Sequence, residues 1–158
     1  MGHSYTDYLE DPDLYNRVKR HDPDIVFVVL AGNAIRNNVT NVEICTLATR
    51  FYNKLRATFP NTQIVSAQIE KRWYREGNRW NCPAEVEFQR RRVALHNFYR
   101  RLRLKNYTLL VAGRNRLDNR TYYRDEVHLN QAGLQFYAQM VRNTVSYIII
   151  DLTKKAEK

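Results

Sequence analysis

Apolar and polar positions change period repeatedly along the chain. Asp24–Ala31 (DIVFVVLA) is a continuous apolar run rich in β-branched residues and preceded by Pro23. It reads as a strand buried on both faces, the habit of a parallel sheet. Thr62–Ala67 and Tyr107–Ala112 predict a second and a third strand. Between the first two, Thr40-Asn-Val-Glu43 is a capping box, in which the Thr hydroxyl takes one free amide and the Glu reaches back to another. It opens a helix to Thr58 with Val42, Leu47, Phe51, Tyr52 and Leu55 on its apolar face; Phe59-Pro60-Asn61 ends it. Pro83 suits the first turn of a second helix, Ala84–Lys105, with Phe88, Leu95, Phe98, Tyr99 and Leu102 on one side. Glu70–Pro83 and Gly113–Leu129 read as irregular connections. Asn130 can cap a last helix to Val145, with Leu134, Tyr137, Ala138 and Val141 at helical spacing. Tyr147–Leu152 (YIIIDL) reads as an edge strand or a packed tail, and residues 153–158 as a frayed polar end. Leu9–Arg20 is helix-like inside an atypical N-terminal segment, residues 1–22.

Strands alternating with long helices predict an α/β fold: a three-layer α/β/α sandwich with a mainly parallel, flavodoxin-like sheet. The length of 158 residues suits a single domain, residues 1–158. Right-handed crossovers are expected to put helices on both faces. Ligands in such sheets bind at the carboxyl ends of the strands, so the loops after Ala31, Ala67 and Ala112 should share one edge.

Composition narrows the classes. No apolar run approaches the ~20 residues of a membrane span; the longest, Ile25–Ala31, is strand-sized. The polar, acid-rich first 24 residues show no signal peptide, which points to an intracellular, cytoplasmic protein. Cys45 and Cys82 fit no metal-ligand spacing and read as reduced thiols. The net charge of +10 is an attraction for polyanions such as RNA or DNA or for an anionic membrane face, or simply a solubility device.

Two motifs fall on the predicted ligand edge. In Leu30-Ala31-Gly32-Asn33-Ala34, Asn33 directly follows the strand. Its amide can donate into the crevice as one arm of an oxyanion hole; alternatively Gly-Asn serves a turn that needs positive φ. In Tyr123-Arg-Asp125-Glu-Val-His128-Leu-Asn130, an Asp stands three residues before a His. It can orient the imidazole through its ring N–H and stabilise the imidazolium form. The ordinary alternative is an Asp in a turn beside a surface His.

The pair Asp24–Ala34 (DIVFVVLAGNA) and Asp125–Gly133 (DEVHLNQAG) resembles the third and fifth sequence blocks of the SGNH hydrolases, the GDSL-type lipases and esterases. The run Arg114–Tyr123 before the second block is similar to divergent SGNH-like domains of invertebrate and retroelement-associated proteins. The resemblance implies a Ser-His-Asp serine esterase acting on acyl esters without metal or cofactor. It matches Asn33 to the oxyanion-hole Asn, Asp125 to the triad acid and His128 to the triad base. Two departures stand out. Ala34 replaces the Asp that ends the third block. Gly2-His3-Ser4 stands where the family has a strand followed by G-D-S, so a sheet short of its first strand is expected. Ser4 is therefore the nucleophile of a shortened domain, an accident of sequence, or a residue of a rearranged gene product.

A second cluster suggests different chemistry. Lys71, Arg72, Trp73 and Arg75 interleave charge and aromatics, and Arg90, Arg91, Arg92, Arg100, Arg101 and Arg103 crowd one helix. Arginine forks bind phosphate oxygens two at a time, and exposed aromatics stack on bases. The alternatives are a solvated helix face and a loop anchored by its Trp residues. Two functions follow: a serine esterase, or a non-enzymatic RNA- or DNA-binding module on the same fold. The second requires the two basic clusters to form one continuous surface. A poorly folding gene fragment is a third reading.

Overall fold

The computed structural model describes residues 3–110 and 116–158. The chain divides into two compact units, Met1–Leu110 and Val111–Lys158.

The first unit contains α1 (Tyr5–Glu10), α2 (Leu14–Lys19), β1 (Ile25–Val28), α3 (Asn41–Thr58), β2 (Gln63–Ala67), α4 (Glu85–Arg100) and β3 (Tyr107–Leu110). The strands form a parallel sheet in the order β1-β2-β3, flanked by helices. Ile25 registers with Gln63, and Ile64 with Tyr107. The expected capping box opens α3: the Thr40 amide donates to Glu43 Oε2 at 2.6 Å, and the Glu43 amide to Thr40 Oγ1 at 3.2 Å.

Because the strand order never reverses, successive right-handed crossovers put α3 and α4 on the same face. The two helices touch, with Asn41 Nδ2 donating to the Arg91 carbonyl at 3.2 Å. Ile44, Ala48, Tyr52, Phe88, Leu95 and Tyr99 are buried in the core of this unit together with Ile64. Each large apolar side chain so buried contributes about 1.5–3 kcal/mol. Tyrosines carry much of that core. Tyr5 Oη lies 2.6 Å from Tyr99 Oη, and Tyr52 donates to Ser66 Oγ at 2.6 Å. Burial pushes the phenols of Tyr5, Tyr52 and Tyr99 well above their ordinary value, and that of Tyr107 up to about 12. They act as neutral hydrogen-bonding core residues.

Some boundaries move. Val42 is 76% exposed and leaves the apolar face predicted for α3. α4 stops at Arg100, short of Lys105, with Arg101 as its C-cap. Val111, Ala112 and Gly113, predicted to end the third strand and start a loop, lie outside the described residues, as do Arg114 and Asn115.

In the second unit, two short 3-10 turns, Arg116–Asp118 and Arg120–Tyr122, precede an antiparallel bridge between Tyr123 and Leu129. Asn130 then caps α5 (Gln131–Ala156), its side chain accepting from the Gly133 amide at 3.0 Å. α5 runs past Val145 and absorbs Tyr147–Leu152, so neither the edge strand nor the packed tail forms. No Gly or Pro interrupts residues 134–156, and helix propagation continues through the β-branched run. Only Ile148 of that run is buried; Tyr147, Ile149 and Ile150 are exposed, and so is Leu134.

Candidate active site

Each unit holds one part of the predicted chemistry. In the second, Asp125 and His128 are joined by a compact loop. Asp125 Oδ1 accepts from the amides of Val127 at 2.8 Å and His128 at 2.6 Å. Its other oxygen lies 2.7 Å from His128 Nδ1. Burial raises the Asp125 carboxyl, but the His128 and Val127 amides and then the imidazole outweigh it and bring it down to about 2. Asp125 is thus an anion at neutral pH, fixed to one ring nitrogen. The other, His128 Nε2, makes no hydrogen bond among the described residues, and the ring is 62% exposed. An imidazole oriented through Nδ1 with Nε2 open is the geometry of a general base.

The surrounding loop is tied to the start of α5. The His128 carbonyl accepts from the Arg124 amide at 2.9 Å, and Asn130 Nδ2 donates to the Thr121 carbonyl at 2.6 Å. Gly133 closes the arrangement: a Cβ there would lie 2.4 Å from the Tyr122 carbonyl oxygen. That close approach requires glycine at the first turn of α5.

In the first unit, the chain leaves β1 and turns at Ala31, whose φ is 78°. Gly32 and Asn33 form the middle of a turn closed by the Ala34 amide, which donates to the Ala31 carbonyl at 2.9 Å, but the positive φ falls on Ala31 and not on either of them. Gly32 serves space instead: a Cβ on it would stand 2.8 Å from Arg72 Nη2. That same Nη2 donates to Asn33 Oδ1 at 2.9 Å. Asn33 Nδ2 donates in turn to the His3 carbonyl at 3.3 Å. The amide therefore already presents its N–H to a carbonyl oxygen, the polarity an oxyanion donor needs.

Ser4 is the N-cap of α1. Its amide and hydroxyl donate to Asp7 Oδ2 at 2.6 and 3.0 Å, and these bonds hold the Asp7 carboxyl below its usual range. Gly2, its neighbour in the Gly-His-Ser triplet, lies outside the described residues.

The basic residues separate into two groups. Arg91 and Arg92 are only 7% and 3% exposed, against the expectation of an outward basic face. Arg91 donates to Asn41 Oδ1 and to the carbonyls of Arg36 and Val39, stitching the segment before α3 to α4. Arg72 likewise turns inward, to Asn33. The spacing held the signal: Arg91 and Arg92 follow the buried Phe88 by three and four residues and precede Leu95 by four and three. Lys71 pairs with Glu85 at 3.3 Å and lies over the half-buried Trp73 ring at 4.3 Å. Arg90 is held by Glu87 at 2.6 Å, while Arg75, Arg100, Arg101 and Arg103 are exposed. With Arg72, Arg91 and Arg92 withdrawn, these residues do not all join one phosphate-facing surface.

Among the described residues, no group of three or more His, Cys, Asp or Glu side chains could hold a metal ion, and Cys45 and Cys82 are unbridged. No helix there is long and apolar enough to cross a membrane.

The chain has the fold of the SGNH/GDSL-type hydrolases. It resembles a carbohydrate esterase of family 3 from Talaromyces cellulolyticus, with a TM-score of 0.70 and 20% identity over 94% of this chain and 69% of that one. A protein described as an acylhydrolase from Bacteroides fragilis matches with a TM-score of 0.65 and 14% identity over 92% of this chain and 71% of the other. One described as a GDSL-like lipase from Parabacteroides merdae matches with a TM-score of 0.59 and 17% identity over 87% and 66%. The chain spans 59% to 71% of the length of these three structures and a fourth, described as a platelet activating factor from Streptococcus pneumonia. None of these three is described as retroelement-associated. No family model and no curated protein sequence matches the chain.

Proposed function

We propose that this chain carries the acid–base pair and an oxyanion donor of an SGNH-type ester hydrolase. The observation that carries the reading is the Asp125–His128 contact, 2.7 Å from Oδ2 to Nδ1, with Nε2 left open. In this reading His128 Nε2 takes the proton from an attacking hydroxyl as that oxygen bonds to the ester carbonyl carbon. Asp125 stabilises the resulting imidazolium. Asn33 donates to the oxygen that becomes negative. Collapse of the tetrahedral intermediate breaks the bond to the leaving alcohol, which receives the proton from Nε2. Water then hydrolyses the acyl-enzyme by the same proton transfers, so no metal or organic cofactor enters the scheme.

Ser4 is the candidate nucleophile. Its hydroxyl donates to Asp7 and would have to leave that carboxylate to attack. Fluorophosphonate labelling of the purified chain, read by intact mass and peptide mapping, decides the point. The expected result is one adduct on Ser4, lost in His128→Ala. An adduct on another residue, or none on a folded sample, overturns the Ser4 assignment.

A further inference from the structure

Asn33 lies in the turn five residues past the end of β1, and no side chain of its own loop bonds its amide. A carboxamide can rotate by half a turn about its last bond and exchange its oxygen for its NH₂ group. Only one orientation presents an N–H as donor. The side chain that makes the choice is distant in sequence. Arg72, in the connection after β2, donates from Nη2 to Asn33 Oδ1 at 2.9 Å. A guanidinium has donors only, so it accepts the oxygen of the amide and rejects the NH₂ group.

Three observations give this contact a purpose beyond packing. Among the described residues, Arg72 makes no other side-chain hydrogen bond and no ion pair. Its guanidinium lies 5.9 Å from the centroid of the Phe88 ring, a cation–π distance. Gly32, beside Asn33, has a normal φ and leaves open the space that Nη2 fills, where a Cβ would stand at 2.8 Å. Burial and, to a lesser degree, neighbouring Arg36 disfavour this cation, while Cys82, Tyr74 and Glu70 partly offset them. Desolvating a guanidinium for one neutral hydrogen bond is a poor source of stability. As a device that orients and polarises an amide, it is coherent: a cation on the carbonyl oxygen strengthens the N–H at the other end.

We propose that Arg72 is a positioning residue, locking the Asn33 side chain with its N–H toward the His3 carbonyl and strengthening it as a donor, with Gly32 providing the room. The catalytic consequence rests on the hydrolase reading; the orientation does not.

The test separates the two. In the uniformly ¹⁵N-labelled full chain, the Asn33 side-chain NH₂ signals are assigned by their loss in Asn33→Ala. They are then followed in Arg72→Met and Gly32→Ala. In the second variant the new Cβ meets only the far end of a flexible side chain, so Arg72 is displaced while the backbone keeps its place. Both variants are expected to shift the Asn33 NH₂ pair and to speed its exchange with water at least tenfold, with the other amides in place. Unmoved Asn33 signals in a folded variant overturn the proposal. If Arg72→Met does not fold, Gly32→Ala decides alone.

The second readout is p-nitrophenyl acetate hydrolysis. Arg72→Met should lower kcat about tenfold with KM unchanged, and should cost little further in an Asn33→Ala background, because loss of the oxyanion donor itself accounts for about 10²–10³-fold. Full additivity of the two substitutions overturns the catalytic role. Displaced Asn33 signals in a chain that hydrolyses no ester sustain the positioning contact and contradict the hydrolase reading.

Discussion

The Asp125–His128 loop and the Asn33 turn each hold a polar side chain in a defined orientation, but by opposite means. The loop uses contacts a few residues long. Asp125 binds the amides of Val127 and His128 and the His128 ring, and Asn130 reaches back only to Thr121. The turn relies on Arg72, thirty-nine residues away, and on the carbonyl of His3, thirty away. A glycine sits beside each. Gly133 faces a backbone carbonyl that cannot retreat; Gly32 faces the tip of a side chain that can. A local motif is thus rigid by its own sequence, whereas a long-range one can be released by moving a single side chain.

The contrast can be strained directly. Gly133→Ala brings a Cβ to 2.4 Å from the Tyr122 oxygen and forces the backbone to shift. Urea unfolding should show a loss of about 2–3 kcal/mol, the scale of an overpacked site. Gly32→Ala should cost less than about 1 kcal/mol by the same measurement, since Arg72 swings aside. Equal losses would erase the distinction between the two glycines.

Acid provides a smaller effect. The Asp125 carboxyl lies at about 2 in the folded loop, below its ordinary value of about 3.9 in an unfolded chain. A depressed carboxyl stabilises the native state fully above its unfolded pKa, and the contribution is lost as pH falls through the folded one. The stability difference between the native chain and Asp125→Asn should therefore be constant above about pH 5 and shrink between about pH 4 and 2. It should be modest, because the carboxylate is largely solvated. A difference that persists unchanged at pH 2 would deny the hydrogen-bonded carboxylate.

The same local–distant divide decides what could be read from the sequence. Thr40–Glu43 and Asn130–Gly133 are local patterns, and both caps form as their spacing predicts. So do the parallel strands, which short apolar runs specify by themselves. The Asp125–His128 pairing belongs to this class, because three residues of loop bring the groups together. The role of Arg72 does not. Its charge and aromatic neighbours suit a solvent-facing platform, and only the fold of the connection after β2 turns it toward Asn33. Arg91 and Arg92 were legible by helical spacing from Phe88 and Leu95, but their charge argues outward, and the carbonyls that hold Arg91 lie in the loop before α3. Tyr147–Leu152 shows chain context overriding β propensity: an apolar β-branched run continues a helix that has no stop signal.

In the proposed reaction Asp125 and His128 act as a working acid–base pair. The most direct test is p-nitrophenyl acetate turnover by the native chain and by His128→Gln, each confirmed folded by circular dichroism. Glutamine keeps polarity near Asp125 but cannot take and return a proton. Turnover should be measurable in the native chain and fall about 10²–10⁴-fold in the variant, the usual worth of general acid–base catalysis. Equal turnover by the two proteins would contradict it.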